Sequence, residues 1–244
     1  MTHPGPRAPA HLDRPAVIGG ARDWTWHEVH AAAADLAARL DPALAVCNLC
    51  NTRLAFLVTT LAALRRGCLQ LLPPSGGPAD LAALLDGQQA CLVVVDDATL
   101  LQPFAFTRAR GLVYLPRVPA TLPDAAALAW PPEPARPSVC LHTSGTTGAP
   151  QPQFKTWAQL LAGAQALAAR LDPLVEGGLA AWRAIVSSVP PQHMFGFETS
   201  VLLPLLTGIP VVERRPLLPL DVHAALALAG GPAAWIATPL HLRA

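Results

Sequence analysis

Hydrophobic positions along the chain fall into short segments of two alternating periods. Thr25-Trp26-His27-Glu28 has the hydroxyl-then-carboxylate spacing of a capping box, and Val29, Ala33, Leu36, Ala37 and Leu40 follow at helical intervals. Ala43 to Cys50 reads as a buried strand. Arg53 to Arg66 reads as a helix stopped by Gly67, and Leu69 to Leu72 as a short strand ending at Pro73-Pro74. Asp80 to Leu85 predicts a short helix, and Cys91 to Val95 a strand of β-branched character. Val139 to Thr143 predicts a strand and Trp157 to Leu171 a helix capped by Thr156. Further on come a strand over Ala184 to Val189 and a helix over Glu198 to Leu206, with Pro204 tolerated late or kinking it. Ile209 to Glu213 is a strand, Val222 to Leu228 a helix and Trp235 to Thr238 a strand; Leu240 to Ala244 resembles the opening of another helix. Strands alternating with helices predict an α/β protein with mostly parallel sheets.

Pro116 to Pro137 holds seven prolines in 22 residues. Proline lacks a donor and fixes its own backbone angle, so this stretch predicts a surface crossing between elements. It divides the chain into a first α/β subdomain over residues 1–115, the proline-rich crossing over 116–137, and a second α/β subdomain over 138–244.

Composition narrows the function classes. Of the 244 residues, 52% are hydrophobic and 14% charged, which excludes a disordered chain. A formal net charge of +1 gives no electrostatic case for nucleic acid or an anionic membrane surface. The most apolar stretch, Val201 to Val212, is cut by Pro204, Gly208 and Pro210, so no membrane span is expected. The N-terminus lacks the apolar core of a signal peptide, and a cytoplasmic location follows as the expectation. Five scattered cysteines include the Cys47–Cys50 pair; no second pair completes a metal knuckle, and buried structural thiols are expected. Asp96-Asp97 at a strand end reads as a cap, and Trp24 and Trp26 as packing anchors.

One stretch breaks the Ala/Leu background. Thr143-Ser144-Gly145-Thr146-Thr147-Gly148 places four hydroxyls and two glycines between a strand and a helix. Glycines let backbone approach an anion, and hydroxyls with exposed N–H groups donate to phosphate oxygens. The spacing is not that of a Walker loop, which needs four residues between its glycines and a lysine after the second. A polar surface turn is the competing reading of these residue types.

The wider string "TSGTTGAP", residues 143–150, resembles the signature loop of the adenylate-forming superfamily: acyl- and aryl-CoA synthetases, peptide-synthetase adenylation domains and luciferases. "PPQHMFG" (190–196) resembles the family's second motif and "ATPLHLRA" the strand and helix start that follow it. "NLC", "LLPPS" (Leu71 to Ser75), "FKTW" (Phe154 to Trp157) and "LLPLLTGIPVV" resemble, more narrowly, the acid–AMP ligases of aryl-polyene and xanthomonadin-type pigment synthesis. The resemblance implies the N-terminal domain of the adenylate-forming fold. It implies activation of an aryl or fatty carboxylic acid with ATP and Mg2+ to an acyl-adenylate, then transfer to CoA or an acyl carrier protein. It implies phosphate contacts from Thr143, Ser144, Gly145, Thr146, Thr147 and Gly148, and an acyl pocket lined by His193, Phe195 and Gly196, the glycine giving the substrate tail room. The family's lysine after the loop proline is Gln151 here, and Lys155 stands as its replacement or as a solvated lysine at a helix start. The family's magnesium-binding Glu, ribose-binding Asp and C-terminal domain with its catalytic Lys would follow residue 244, so an incomplete, inactive ligase is expected. The alternative is a non-catalytic remnant or a binding and assembly module that keeps the fold.

Overall fold

The computed structural model describes residues 11–73, 91–104, 110–128, 135–143 and 151–242. The helix expected over 80–85 and most of the hydroxyl-rich loop, 144–150, lie outside them. Two compact units divide the chain, one holding His27–Trp157 and the other Ala10–Trp26 with Ala158–Ala244. Each is built on its own sheet.

The first unit carries β3 (Ala45–Asn48), β4 (Gln70–Leu72), β5 (Cys91–Val95), β6 (Arg110–Val113), β7 (Pro137–Thr143) and β8 (Gln151–Thr156), in the order β6-β5-β3-β4-β7-β8. Neighbouring strands run parallel except for the antiparallel β7–β8 pair. Helix α1 (Trp26–Arg39) buries Val29, Ala33, Leu36, Ala37 and, just past its end, Leu40, the five positions the helical spacing picks out. Helix α2 (Arg53–Arg66) is buried over Ala55–Leu64. Thr52 caps its start, its Oγ1 accepting from the Ala55 N–H at 3.3 Å, and Gly67 ends it with a φ of 71°. Asp96 braces that same start, accepting from the Asn51 and Thr52 N–H groups and from the Thr52 hydroxyl at 2.9, 2.7 and 2.6 Å.

Asn48 closes β3 with a polar clamp. Its Nδ2 donates to the Phe56 carbonyl at 3.0 Å and its Oδ1 accepts from the Cys50 N–H at 3.2 Å, so the start of "NLC" ties strand to helix. One apolar face of the sheet gathers Ala45, Cys47, Leu71, Cys91, Val93, Val95 and Cys140. All five cysteines are free and buried, as structural thiols should be. Burial pushes Cys50 up to about 12 and Cys91 up to about 11, so neither is a thiolate at neutral pH.

The proline-rich segment runs between β6 and β7, two strands of one sheet. It is more anchored than a bare surface crossing: Ala125–Leu128 forms a 3-10 turn, Leu128 is fully buried, and its carbonyl accepts from Arg65 Nη1 at 2.7 Å. Pro123 likewise offers its carbonyl to His27 Nε2 at 2.7 Å.

The second unit carries β1 (Pro15–Ile18), β2 (Trp24–Thr25), β9 (Ala184–Ser187), β10 (Val211–Val212) and β11 (Ala233–Ile236) in the order β11-β9-β10-β1-β2. All neighbours are parallel except β1–β2. Helix α3 (Trp157–Leu171) sends Leu167, Ala168 and Leu171 against a core of Leu179, Ile185, Leu203 and Ile209; α6 (Pro219–Leu228) places Ala225 with Ala184, Val186 and Val212. The Trp26 indole is buried and donates to the Gly208 carbonyl at 3.4 Å.

The helix expected over Glu198 to Leu206 starts earlier and is not uniform. Its parts are α4 (Met194–Phe197), a π-helical stretch Glu198–Leu202, and α5 (Leu203–Thr207), with Pro204 in the first turn of α5. Thr199 and Ser200 hydroxyls donate back to the Phe195 and Gly196 carbonyls, each at 2.6 Å. The wider turn lies directly ahead of Pro204, whose missing N–H falls in the first turn of α5 where it costs least, and the two hydroxyls bond back one turn earlier, a contact that bends helices.

Candidate functional site

The hydroxyl-rich stretch leaves β7 at its carboxyl end. Thr143, the last residue of β7, is in register with Gln151, the first of β8, and Leu141 with Gln153, Cys140 with Phe154 and Val139 with Lys155. Residues 144–150 therefore connect two paired strands: the loop is a hairpin closed at its base, not a strand-to-helix turn. Ser144, Gly145, Thr146, Thr147 and Gly148 lie outside the described residues, and Thr143 is placed by its backbone.

The intervening strand β8 is absent from the sequence reading, and it corrects the place of Lys155. This residue lies within the strand, not at a helix start. It stands four positions beyond Gln151, about 13 Å along the strand at roughly 3.3 Å per residue. Its side chain is half-buried, and it has no ion pair among the described residues.

In the second unit, β9 ends at Ser187 and the chain turns through Pro190 and Pro191 into α4. The Ser187 hydroxyl donates to the Val189 carbonyl at 3.0 Å and the Trp235 indole to the Ser188 hydroxyl at 3.0 Å, fixing the strand end. His193 is the N-cap of α4 by backbone geometry. Its N–H donates to the Pro190 carbonyl at 3.2 Å and its carbonyl accepts from the Phe197 N–H at 2.7 Å. Its side chain makes no capping bond, is exposed, and has no partner among the described residues. An imidazole that neither caps nor packs remains open to a ligand. Phe195 is 47% exposed, high for an aromatic ring.

Gly196 is different. A Cβ there would collide with the Pro190 carbonyl, and the residue is buried. The space left by its missing side chain is filled by this chain's own backbone, so glycine here seats the turn on the helix rather than opening room for a substrate tail.

The two sets belong to different units, Thr143–Lys155 to the first and His193–Gly196 to the second. Residues 144–148 follow the carboxyl end of β7, which has a parallel neighbour in β4, and His193–Gly196 follow that of β9, the ends at which open α/β sheets bind ligands; Lys155 instead lies opposite Val139, near the start of β7. Among the described residues, no group of three or more His, Cys, Asp or Glu could hold a metal ion, and the described residues thus offer no carboxylate set for magnesium. Asp96 and Asp97 are engaged as caps; Asp97 accepts from the Thr99 N–H and hydroxyl, each at 2.8 Å, which holds its carboxyl below the usual range. No helix among the described residues is long and apolar enough to cross a membrane.

Comparison with known proteins gives these features a family. The model of the AMP-binding enzyme family matches residues 6–244. The chain is 37% identical over 73 residues to a 4-coumarate–CoA ligase of Halorhodospira halophila, covering 30% of this chain and 17% of the relative. It is 32% identical over 127 residues to a sulfoacetate–CoA ligase of Cupriavidus necator, covering 52% and 23% respectively. Among solved structures, a malonyl-CoA ligase with methylmalonyl-CoA and AMP bound superposes with a TM-score of 0.69 at 26% identity, covering 90% of this chain and 45% of that one. The chain thus spans under a quarter of the two curated relatives and under half of that solved enzyme.

Proposed function

The chain belongs to the AMP-binding enzyme family, and on that premise we propose that it forms the phosphate-binding and acid-binding part of an acid–AMP ligase. A carboxylate oxygen attacks the α-phosphorus of ATP, the bond to the β-phosphate oxygen breaks, and pyrophosphate leaves. The acyl-adenylate then reacts at its carbonyl with a thiol of CoA or of a carrier protein, releasing AMP. Both reactants of the first step are anions, so its barrier falls most where donors meet the phosphate charge. Thr143, Ser144, Thr146 and Thr147 supply hydroxyl donors, Gly145 and Gly148 allow backbone approach, and Lys155 supplies a cation. His193 and Phe195 line the acid, and Gly196 keeps the turn that presents them in place. Magnesium, when bound, would share the phosphate charge; the described residues supply no ligand set for it.

The observation that carries this reading is the β7–β8 hairpin, which pins both ends of a hydroxyl- and glycine-rich loop at the carboxyl end of a strand with a parallel neighbour. An aryl acid or a short unsaturated acid is the proposed substrate class. The likeness to a protein named 4-coumarate–CoA ligase supports the aryl choice, as does the resemblance of "FKTW" and "LLPLLTGIPVV" to the ligases of aryl-polyene pigment synthesis. The test is carboxylate-dependent ATP–pyrophosphate exchange by the enzyme that carries this chain, across hydroxybenzoates, cinnamates, short unsaturated acids and saturated fatty acids. Exchange driven best by an aryl or short unsaturated acid is expected. Exchange with no acid would leave a binding or assembly module that keeps the fold.

A further inference from the structure

The second unit holds a cavity of about 650 Å3 that the acid-activation reading does not use. It opens where β9 and β10 begin: Arg183 immediately precedes β9, Ile209 and Pro210 precede β10, and Arg14 precedes β1. His193 follows the other end of β9, so Arg183 of the cavity and the candidate acid-binding residues lie at opposite ends of that strand. The volume is in the range of small-molecule sites, roughly 300–1,000 Å3.

The lining combines two chemistries. Trp182, Leu179 and Ile209 give it apolar walls, and Arg14 and Arg183 bring two guanidinium groups. Neither arginine has an ion pair or side-chain hydrogen bond among the described residues, and both are exposed. The one carboxylate in the lining, Asp172, is already committed, its Oδ1 accepting from the Leu179 N–H at 2.8 Å to hold the turn that forms one wall. The charged side chains of the lining are thus two guanidinium groups and one carboxylate. His11, which packs against the cavity residue Gly208, is driven towards its neutral form first by burial and then by Arg14.

We propose that this cavity is a second ligand site for a small organic anion, whose anionic head is held by Arg14 and Arg183 and whose flat apolar body lies against Trp182, Leu179 and Ile209. Guanidinium forks suit carboxylate and phosphate heads alike, and an indole face suits a planar body. With two arginines against one carboxylate in the lining, an anionic head gains an attraction that a neutral polar group does not. The site stands independently of the acid-activation reading.

The test is isothermal titration of the chain at low ionic strength with naphthalene carboxylate, its neutral carboxamide, naphthyl phosphate and inorganic phosphate. Naphthalene carboxylate should bind at least about tenfold more tightly than the carboxamide, and raised salt should weaken it. Naphthyl phosphate binding more tightly than the carboxylate would assign the head as phosphate; the reverse would assign a carboxylate. Inorganic phosphate should bind more weakly than either, for want of an apolar body. Replacing both arginines, Arg14→Ala with Arg183→Ala, should cost at least about tenfold with an unchanged melting temperature, since both side chains are exposed. His193→Ala should leave the affinity as it was. If the double alanine variant does not fold, Arg14→Gln and Arg183→Gln taken singly replace it, each with a clear loss of affinity for naphthalene carboxylate expected. Equal binding of carboxylate and carboxamide, or binding lost with His193 and kept without the arginines, would overturn the proposal.

Discussion

At the scale of single residues, the turn before α4 shows how little identity alone reveals. Gly196 reads from sequence as room for a substrate, yet the Pro190 carbonyl fills the place of its side chain. Gly196→Ala should therefore destabilise the second unit by about 1–3 kcal/mol, the range for forcing atoms into a packed site. Chemical denaturation checks this, and an unchanged midpoint would mean the turn is loose. His193 reads by resemblance as an acyl-pocket residue, where a plain reading would make it a capping or satisfied loop histidine; its side chain makes no cap bond. His193→Ala should raise KM for the acid by about threefold to tenfold, the worth of one neutral hydrogen bond, with KM for ATP unchanged. Steady-state kinetics with each substrate varied decides it, and a rise in KM for ATP alone would remove His193 from the acid site.

At the scale of elements, legibility followed the strength of local signals. Helix α2 carries a hydroxyl cap, an apolar run and a terminal glycine, and its bounds Arg53–Arg66 are those the sequence predicts. Strand β8 carried none of these. Its Pro152 argues against a strand, and it is tolerated because β8 lies at the end of the strand order, where one side of the backbone needs no partner. Strands β1 and β6 were likewise missed, being four residues each with weak alternation. Asp96 braces α2 from a different element, a link that no local pattern shows. Asp96→Ala should cost about 1 kcal/mol, as loss of a helix cap does, and a denaturant midpoint left unmoved would show the brace to be dispensable.

The thiols on and near the six-stranded sheet give a pH dependence with a definite sign. Cys50 and Cys91 have folded-state values of about 12 and about 11, above the ordinary 9.0. Above pH 9 the unfolded chain ionises these thiols while the folded chain keeps their protons, so stability is full below that pH and falls as pH rises towards the folded values. Each such thiol removes up to about 1.4 kcal/mol per pH unit in that window. Unfolding titrations between pH 8 and 11 should show the decline, and Cys50→Ala should flatten it. An undiminished slope in that variant would assign the decline to other groups.

At the scale of the whole molecule, the α/β class with mostly parallel sheets was legible because strands and helices alternate along the chain. Which strands share a sheet was not. β1 and β2 stand near the N-terminus yet pair within the sheet of β9, β10 and β11, and β7 and β8 join the sheet of β3 to β6 across the proline-rich segment. Periodicity records the face a residue buries, not the strand it lies beside. The hydroxyl-rich loop stood out through the likeness of its wider string to a family signature, since four hydroxyls and two glycines alone fit a polar surface turn as well. The hairpin that anchors it did not.

The central claim is that this loop grips phosphate, and Thr146→Val with Thr147→Val tests it most directly. The change keeps volume and β-branching, so packing should be little altered. Each hydroxyl donating to a charged phosphate is worth about 1.5–3 kcal/mol. The pair should then cost on the order of 10²–10⁴ in adenylation rate, since about 1.4 kcal/mol is tenfold. The measurement is single-turnover acyl-adenylate formation by the enzyme that carries this chain, beside a thermal melt of the same double variant. A phosphate-gripping loop should show that large loss of rate at an unchanged melting temperature. Adenylation within a few-fold of the parent, at that same melting temperature, would make the loop a surface turn and contradict the claim.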